Sequence, residues 1–225
     1  MASQVFKNKT FSSVYHKYMI PISKETLNMV LSFVQGKRNG QPLEMAVDVG
    51  CGTGRYTIPL APHFKKVLGI DFSKAQINLA NQYNLLDNVS YMVAPAEKLP
   101  IENDSVDLLN AGLAAHFFRV DEFASEAVRV LKKKGCLAVH GLYPACDIEY
   151  KDLSHDLTVV MSEVWKILYQ HADKSKDHLL CQYESIYEVI PLKDKQLFQD
   201  ILGENADSVR LNVNVKHYCV LARKD

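Results

Sequence analysis

A chain of 225 residues with 26 basic and 26 acidic side chains carries no net charge, so it has no overall electrostatic footprint for nucleic acid or for an anionic membrane. The length suits one structural domain with a full core. No apolar run reaches membrane-spanning length and the N-terminus lacks the apolar core of a signal peptide, so the expectation is a soluble, cytoplasmic protein that binds neither nucleic acid nor membrane.

Five scattered cysteines without a CxxC pair read as reduced thiols that pack as small apolar groups. The histidines are equally dispersed, which gives no ligand spacing, so no metal is expected. Nothing in the sequence indicates an oligomeric state.

In chain order, the first segment is aromatic-rich up to Pro21, with Phe6, Phe11, Tyr15 and Tyr18. Lys24 to Val34 then reads as an amphipathic helix, since Leu27, Val30, Leu31 and Val34 recur at helical spacing before KRNG ends it. AVDVGCGTGR, Ala46 to Arg55, follows as a buried strand, a loop with glycine at Gly50, Gly52 and Gly54, and a helix to about Ala61 that Pro59 bends. Glycines at alternate positions permit positive φ and let a ligand lie against the main chain. The dinucleotide fingerprint GxGxxG is not met, because the third glycine comes one residue early, and the GKS or GKT ending of a P-loop is absent.

VLGIDFS, Val67 to Ser73, is a second apolar strand ending in Asp71. An acid there can accept from both hydroxyls of a ribose, and Phe72 is placed to lie on a flat base. Ser73 and Gln76 read as a capping box for the next helix, which leaves Asp71 free for a ligand. VSYMVAPAEKLP, Val89 to Pro100, is a strand followed by a polar loop, and NDSVDLLNAGLAAHFFRV contains a fourth strand, Val106 to Leu109, with Asp107 at its start. The helix Asp121 to Lys133 carries Phe123, Val128 and Leu131 inward and ends in Lys132, Lys133 and Lys134, where positive charge suits the helix dipole. GCLAVHGLY, Gly135 to Tyr143, is a fifth strand. Beyond Pro144 a helix spans Leu153 to His171, another Lys193 to Leu202, and SVRLNVNVKHYCVLARK alternates like a closing hairpin, Val209 to Val213 and Tyr218 to Ala222. Strands alternating with helices imply a parallel sheet with right-handed crossovers.

The residues Val47, Asp48, Gly50, Gly52 and Gly54 match hhDxGxGxG, and with Asp71, the APAEKLP loop and AAHFF the chain resembles the class I S-adenosylmethionine-dependent methyltransferases. Within them it resembles the trans-aconitate methyltransferase-like small-molecule group, a methyltransferase type 11 domain. The resemblance implies a Rossmann-like α/β fold: a mostly parallel seven-stranded sheet, order 3-2-1-4-5-7-6, with helices on both faces and an N-terminal helical lid. Residues 1–40 would be the lid and helix, and residues 41–225 the cofactor-binding core, with a less regular substrate-side segment about 144–192.

The cofactor implied is S-adenosylmethionine, with S-adenosylhomocysteine as product. By the resemblance Asp48, Gly50, Cys51 and Gly52 follow its methionine half, Asp71 the ribose, Phe72 and the backbone of Ala96 the adenine, with Glu97 beside it; Asn110, after the fourth strand, is a further cofactor-binding residue. Pro95 stands where the family often has an aspartate that accepts from the adenine amino group. Tyr15 and Tyr18 would fold over the cofactor, where tyrosine faces suit a sulfonium cation; the alternative is that they only seal the core. Phe117 and Tyr143 fall on the substrate side.

Methyl transfer from a sulfonium needs position and a dry pocket more than it needs acid or base, unless the acceptor carries a proton. His116 is the histidine placed to be such a base, or alternatively to shape the pocket through a hydrogen bond. Asn110 is not followed by the rest of an NPPY motif, which disfavours base methylation of nucleic acid. The leading expectation is transfer to an O, N or S atom of a small molecule. A protein or RNA methyltransferase would show a basic face or an added module, and a catalytically silent partner protein that binds the cofactor is the third reading.

Overall fold

The structure, a computed structural model, describes residues 12, 13, 16, 17, 19, 22–36, 42–172 and 212–224; the side chains of 116, 142–146, 165–172, 212–218 and 220 lie outside that description. The chain divides into two units, one formed by Met1–Gly141 with Cys219–Asp225 and the other by Leu142–Tyr218.

The apolar runs of the first unit become strands, and the central ones, β1 (Met45–Val49) and β4 (Val106–Gly112), are almost wholly buried. In β1 four consecutive residues are buried. β2 (Lys66–Asp71) and β4 flank it in parallel register, Asp48 lying between Gly69 and Asn110, and β3 (Val89–Val93) lies outside β2. With β5 (Leu131–Glu149) and β6 (Asn212–Arg223) the sheet has six strands among the described residues, in the order β3-β2-β1-β4-β5-β6. Alternation of side chains along each strand sorts the core into two layers. Ala46, Val67, Leu108 and Ala138 pack with Val30, Leu31 and Val34 of α1 (Lys24–Gln35) on one face. Val47, Val49, Leu109 and Ala111 pack with Phe123, Ala127 and Val130 of α3 (Val120–Val130) on the other. Between β2 and β3, α2 (Lys74–Tyr83) starts on Ser73, whose Oγ accepts from the Gln76 N–H at 3.3 Å. This is the Rossmann-like α/β arrangement that the alternating pattern implied.

Several local readings change. The helix expected from Asp121 to Lys133 stops at Val130, and Leu131 is already strand. The lysine run therefore does not cap a helix: Lys132 Nζ instead lies 3.0 Å from the Asp107 carboxylate. Val128, expected inward, is 61% exposed, because the buried stripe of α3 runs through Phe123, Ala127 and Val130. After the glycine loop, Pro59 and Pro62 leave only a 3₁₀ turn, Ile58–His63, in place of the expected helix. The closing hairpin is replaced by the single strand β6, which runs unbroken across the turn expected between Val213 and Tyr218. No glycine or proline interrupts that alternation. Residues 209–211, on the hairpin's first arm, and the helix expected at Lys193 to Leu202 lie outside the described residues.

In the second unit the end of β5 is tied to α4 (Ser154–Ala172) by two hydrogen bonds, Ile148 N–H to Thr158 Oγ1 at 2.8 Å and Tyr150 N–H to Ser154 Oγ at 2.9 Å. Ile148, Leu157, Val160 and Val164 are buried there.

The start of β1 is held by one side chain. Asp107, fully buried, accepts from the N–H groups of Glu44 and Met45 at 2.7 and 2.8 Å and faces Lys132. Removing that carboxylate leaves donors without acceptors. Asp107→Ala is expected to lose about 2–4 kcal/mol in chemical denaturation, the range for a broken buried charged network; a loss under about 0.5 kcal/mol would show that the clamp is dispensable.

Candidate functional site

Where β1 ends, Gly50 and Cys51 both donate to the carbonyl of Ile70, at 2.7 and 3.0 Å, so the glycine loop is pinned to the end of β2. Gly50 takes φ +70° and Gly54 φ +86°. A Cβ on Gly50 would lie 2.4 Å from the Ala114 methyl, and one on Gly54 2.2 Å from the Tyr91 hydroxyl. These two glycines are thus demanded by the protein's own packing as well as by backbone conformation.

The loop forms one wall of a cavity of about 450 Å³. Gly50, Cys51, Gly52, Asp71, Phe72, Ala96, Glu97 and Phe117 all line it. The cavity opens at the carboxyl ends of the strands where the order reverses between β1 and β4, the crevice in which open α/β sheets bind ligands. Thr53, Arg55, Tyr56, Gln76, Ala94, Pro95, Gly112, Leu113, Ala114, Phe118, Arg119 and Met19 complete the lining. Leu113 holds φ 55° while its N–H reaches the carbonyl of His140 at 2.9 Å, a strained residue on the cavity rim.

Asp71 is not free, as the capping-box reading had it. Its Oδ2 accepts from the Gly52 N–H at 2.9 Å and its Oδ1 from the Ser73 N–H at 2.8 Å. Each oxygen keeps capacity to accept a further hydrogen bond. Burial pushes this carboxyl up, opposed by those two N–H bonds. The capping box itself is half formed, because the Gln76 amide does not return to Ser73: neither its Nε2 nor its Oε1 has a hydrogen-bond partner. The loop after β3 is drawn alongside Asp71 by the Ala94 N–H donating to the Asp71 carbonyl at 3.1 Å. Glu97 Oε1 accepts from the Arg119 N–H at 2.8 Å and ties the same loop to the start of α3.

Asp48 and Asn110 sit below the cavity rather than on its wall, both about 1% exposed. Thr57 Oγ1 donates to Asp48 Oδ2 at 2.6 Å, Asn110 Nδ2 donates to Asp48 Oδ1 at 2.8 Å, and Asn110 Oδ1 meets His140 Nε2 at 2.9 Å. The polarity of the chain fixes His140 as the Nε2–H donor, since the Asn110 amide nitrogen is already committed to the carboxylate. His140 escaped the sequence reading; a histidine at a buried position of an apolar strand was the signal for it. Burial pushes Asp48 up to about 6, against the hydrogen bonds of Thr57 and Asn110. Burial, with the charges of Asp71 and Asp48, also pushes the Cys51 thiol well up, so it stays protonated.

Among the described residues of the N-terminal segment, His16 reaches the loop. His16 Nδ1 lies 2.7 Å from Thr53 Oγ1, its ring stacks on Tyr83 at 4.2 Å, and Arg55 donates to its carbonyl. Tyr15 and Tyr18 lie outside the described residues, as do the side chains of His116 and Tyr143, whose backbones belong to a 3₁₀ turn and to β5. Among the described residues no group of three or more His, Cys, Asp or Glu could hold a metal ion, and no helix is long and apolar enough to cross a membrane.

The Asp48 carboxyl gives a prediction with a definite sign. Its folded value, about 6, exceeds its ordinary value of 3.8. The folded state therefore binds the extra proton between those values, and the associated stability is full below about pH 4 and lost as pH rises through 6. Asp48→Asn removes this dependence. The stability of the natural protein relative to Asp48→Asn is expected to fall by about 2–3 kcal/mol between pH 4 and pH 7 in denaturant titrations; parallel curves would contradict it.

A family profile described as "Methyltransferase domain" matches residues 47–139, the stretch from the glycine loop to β5. The chain is 31% identical over 144 residues to the Saccharomyces cerevisiae protein named "Probable S-adenosylmethionine-dependent methyltransferase CRG1", covering 61% of this chain and 48% of that one. It is 30% identical over 143 residues to the demethylmenaquinone methyltransferase of Oceanobacillus iheyensis, covering 56% and 57%. The chain thus spans about half the length of the curated relatives it matches. Among solved structures, one described as a type II methyltransferase from Anaeromyxobacter dehalogenans superposes with a TM-score of 0.60 at 20% identity, over 91% of this chain and 98% of that one, a likeness of fold. Glycine loop, buried acid after β2, strand order and profile agree: residues 47–139 match a methyltransferase domain, and the sheet around them is Rossmann-like.

Proposed function

We propose that the chain binds S-adenosylmethionine in the 450 Å³ cavity and passes its methyl group to an oxygen, nitrogen or sulfur atom of a small-molecule acceptor, releasing S-adenosylhomocysteine. The observation that carries this reading is the joining of three distant segments on one wall: the Gly50–Gly52 loop, Asp71 with Phe72, and Ala94 to Glu97. A nucleoside joined to an amino acid asks for an acid beside a flat apolar face and a stretch of open backbone, with no lysine for phosphate, and the described lining has that composition.

Bound there, the sulfonium supplies a methyl group on an already activated leaving group. The protein's share is then placement and exclusion of water, worth roughly 7–11 kcal/mol of barrier when the reacting atoms are held in line. Asp71 offers two anionic acceptors to a ribose diol, and its own N–H partners hold it in position. Phe72 offers a ring face to a base. Cys51, protonated, adds apolar surface and no competing nucleophile. Asp48, Asn110 and His140 act as positioning residues that stiffen the floor. We assign His116 as the base for a protonated acceptor or as a group that shapes its pocket. Support for a small acceptor comes from the balanced charge of the chain and from the named acceptor of the demethylmenaquinone methyltransferase relative.

Calorimetric titration with S-adenosylmethionine and S-adenosylhomocysteine tests the reading. Micromolar binding by the natural protein is expected, weakened tenfold to a hundredfold in Asp71→Ala, the loss typical of two charge-assisted hydrogen bonds. Absence of binding, or equal affinity in both proteins, would contradict it.

A further inference from the structure

Gln76 is an anomaly in a wall otherwise well satisfied. It is 1% exposed, it lines the cavity, and both atoms of its amide are buried without a hydrogen bond. An unsatisfied buried polar atom destabilises the fold, and native proteins keep few of them. A leucine or methionine would suit the first turn of α2 equally well and would leave nothing unpaired. Among the described residues of the protein the amide has no partner.

Its place in the fold narrows that partner. Gln76 is the third residue of α2, four residues after Phe72, and it lines the same cavity as Asp71, Phe72 and the loop of Ala94 to Glu97, which is bound to the Asp71 carbonyl. In that loop Pro95 contributes neither an N–H nor a polar side chain. Asp71 already meets the chemistry of a diol. What a carboxamide adds is a donor and an acceptor side by side in one plane, the complement of the adenine edge, where an amino group stands next to a ring nitrogen. Building on the cofactor reading above, we propose that Gln76 is a specificity residue that hydrogen bonds the adenine base, its Oε1 accepting from the 6-amino group and its Nε2 donating to the adjacent ring nitrogen.

The probes are S-adenosylhomocysteine and its analogue in which the 6-amino group is replaced by hydrogen, each titrated by calorimetry into the natural protein and into Gln76→Met, a variant of similar size and shape. The natural protein is expected to prefer the adenine compound roughly tenfold, because the analogue leaves the Oε1 acceptor unpaired again. In Gln76→Met that preference falls to within about twofold, through weaker binding of the adenine compound. A second readout needs no turnover. Free Gln76→Met melts at the same temperature as the natural protein or higher, since an unpaired amide has been removed, while the rise in Tm on adding S-adenosylhomocysteine shrinks.

Four outcomes overturn the proposal. A preference unchanged in Gln76→Met would assign the 6-amino group to another residue. Equal binding of both compounds by the natural protein would show that the base is not read there. A clear drop in Tm of free Gln76→Met would show that the amide serves the fold. Binding of neither compound by the natural protein would remove the cofactor reading and this one together.

Discussion

The buried carboxylate of Asp71, shared between the Gly52 N–H and the Ser73 N–H, is the interaction on which the site depends. A charge 93% hidden from solvent is costly to keep ionised, and only donors aimed at it make that tolerable. Here the donors are the backbone of the glycine loop and the start of α2, so the same bonds that stabilise the acid also fix two walls of the cavity. The carbonyl of Ile70, one residue earlier, takes the N–H groups of Gly50 and Cys51. Loop, strand end and helix start are joined by these bonds. A reaction governed by alignment asks for walls held in this way.

Below this layer the sheet changes character along its length. Ala46, Leu108 and Ala138 form an apolar face against α1, and one pleat further along, the same face carries Asp48, Asn110 and His140. The three strands thus carry a hydrogen-bonded polar row below the cavity. A floor of this kind is stiffer than an apolar one, because each member has one geometry in which it is satisfied. Its cost appears in Asp48, pushed up to about 6 by burial that its hydrogen bonds only partly offset. Leu113, held at positive φ on the rim, is a second place where local stability is given up at the cavity.

Much of this was legible in the sequence because it is written in local patterns. Short apolar runs, alternate glycines and an acid at a strand end each depend on neighbours within a few residues, and they located β1 to β5, α1, α2 and eight residues of the cavity wall. The misreadings arose where distant residues decide. Lys132 belongs to a strand because Asp107 draws it there, and Asp107 also clamps Glu44 and Met45, more than sixty residues away in sequence. Gln76 looked like the second half of a capping box, a role that short-range pattern permits and the side chain does not take. His140 was hidden because a buried histidine explains itself only once Asn110 lies beside it. The long β6 was read as a hairpin since alternation alone does not say where a strand turns.

The central claim is that the Asp71 and Phe72 end of the cavity receives a nucleoside. A crystal structure of the protein grown with S-adenosylhomocysteine tests it most directly. The account predicts both ribose hydroxyls within hydrogen-bonding distance of the Asp71 carboxylate, with the base against the Phe72 ring and the homocysteine portion along Gly50 to Gly52. A nucleoside bound elsewhere, or a cavity closed by the protein's own side chains while Asp71 keeps only its two backbone donors, would contradict it.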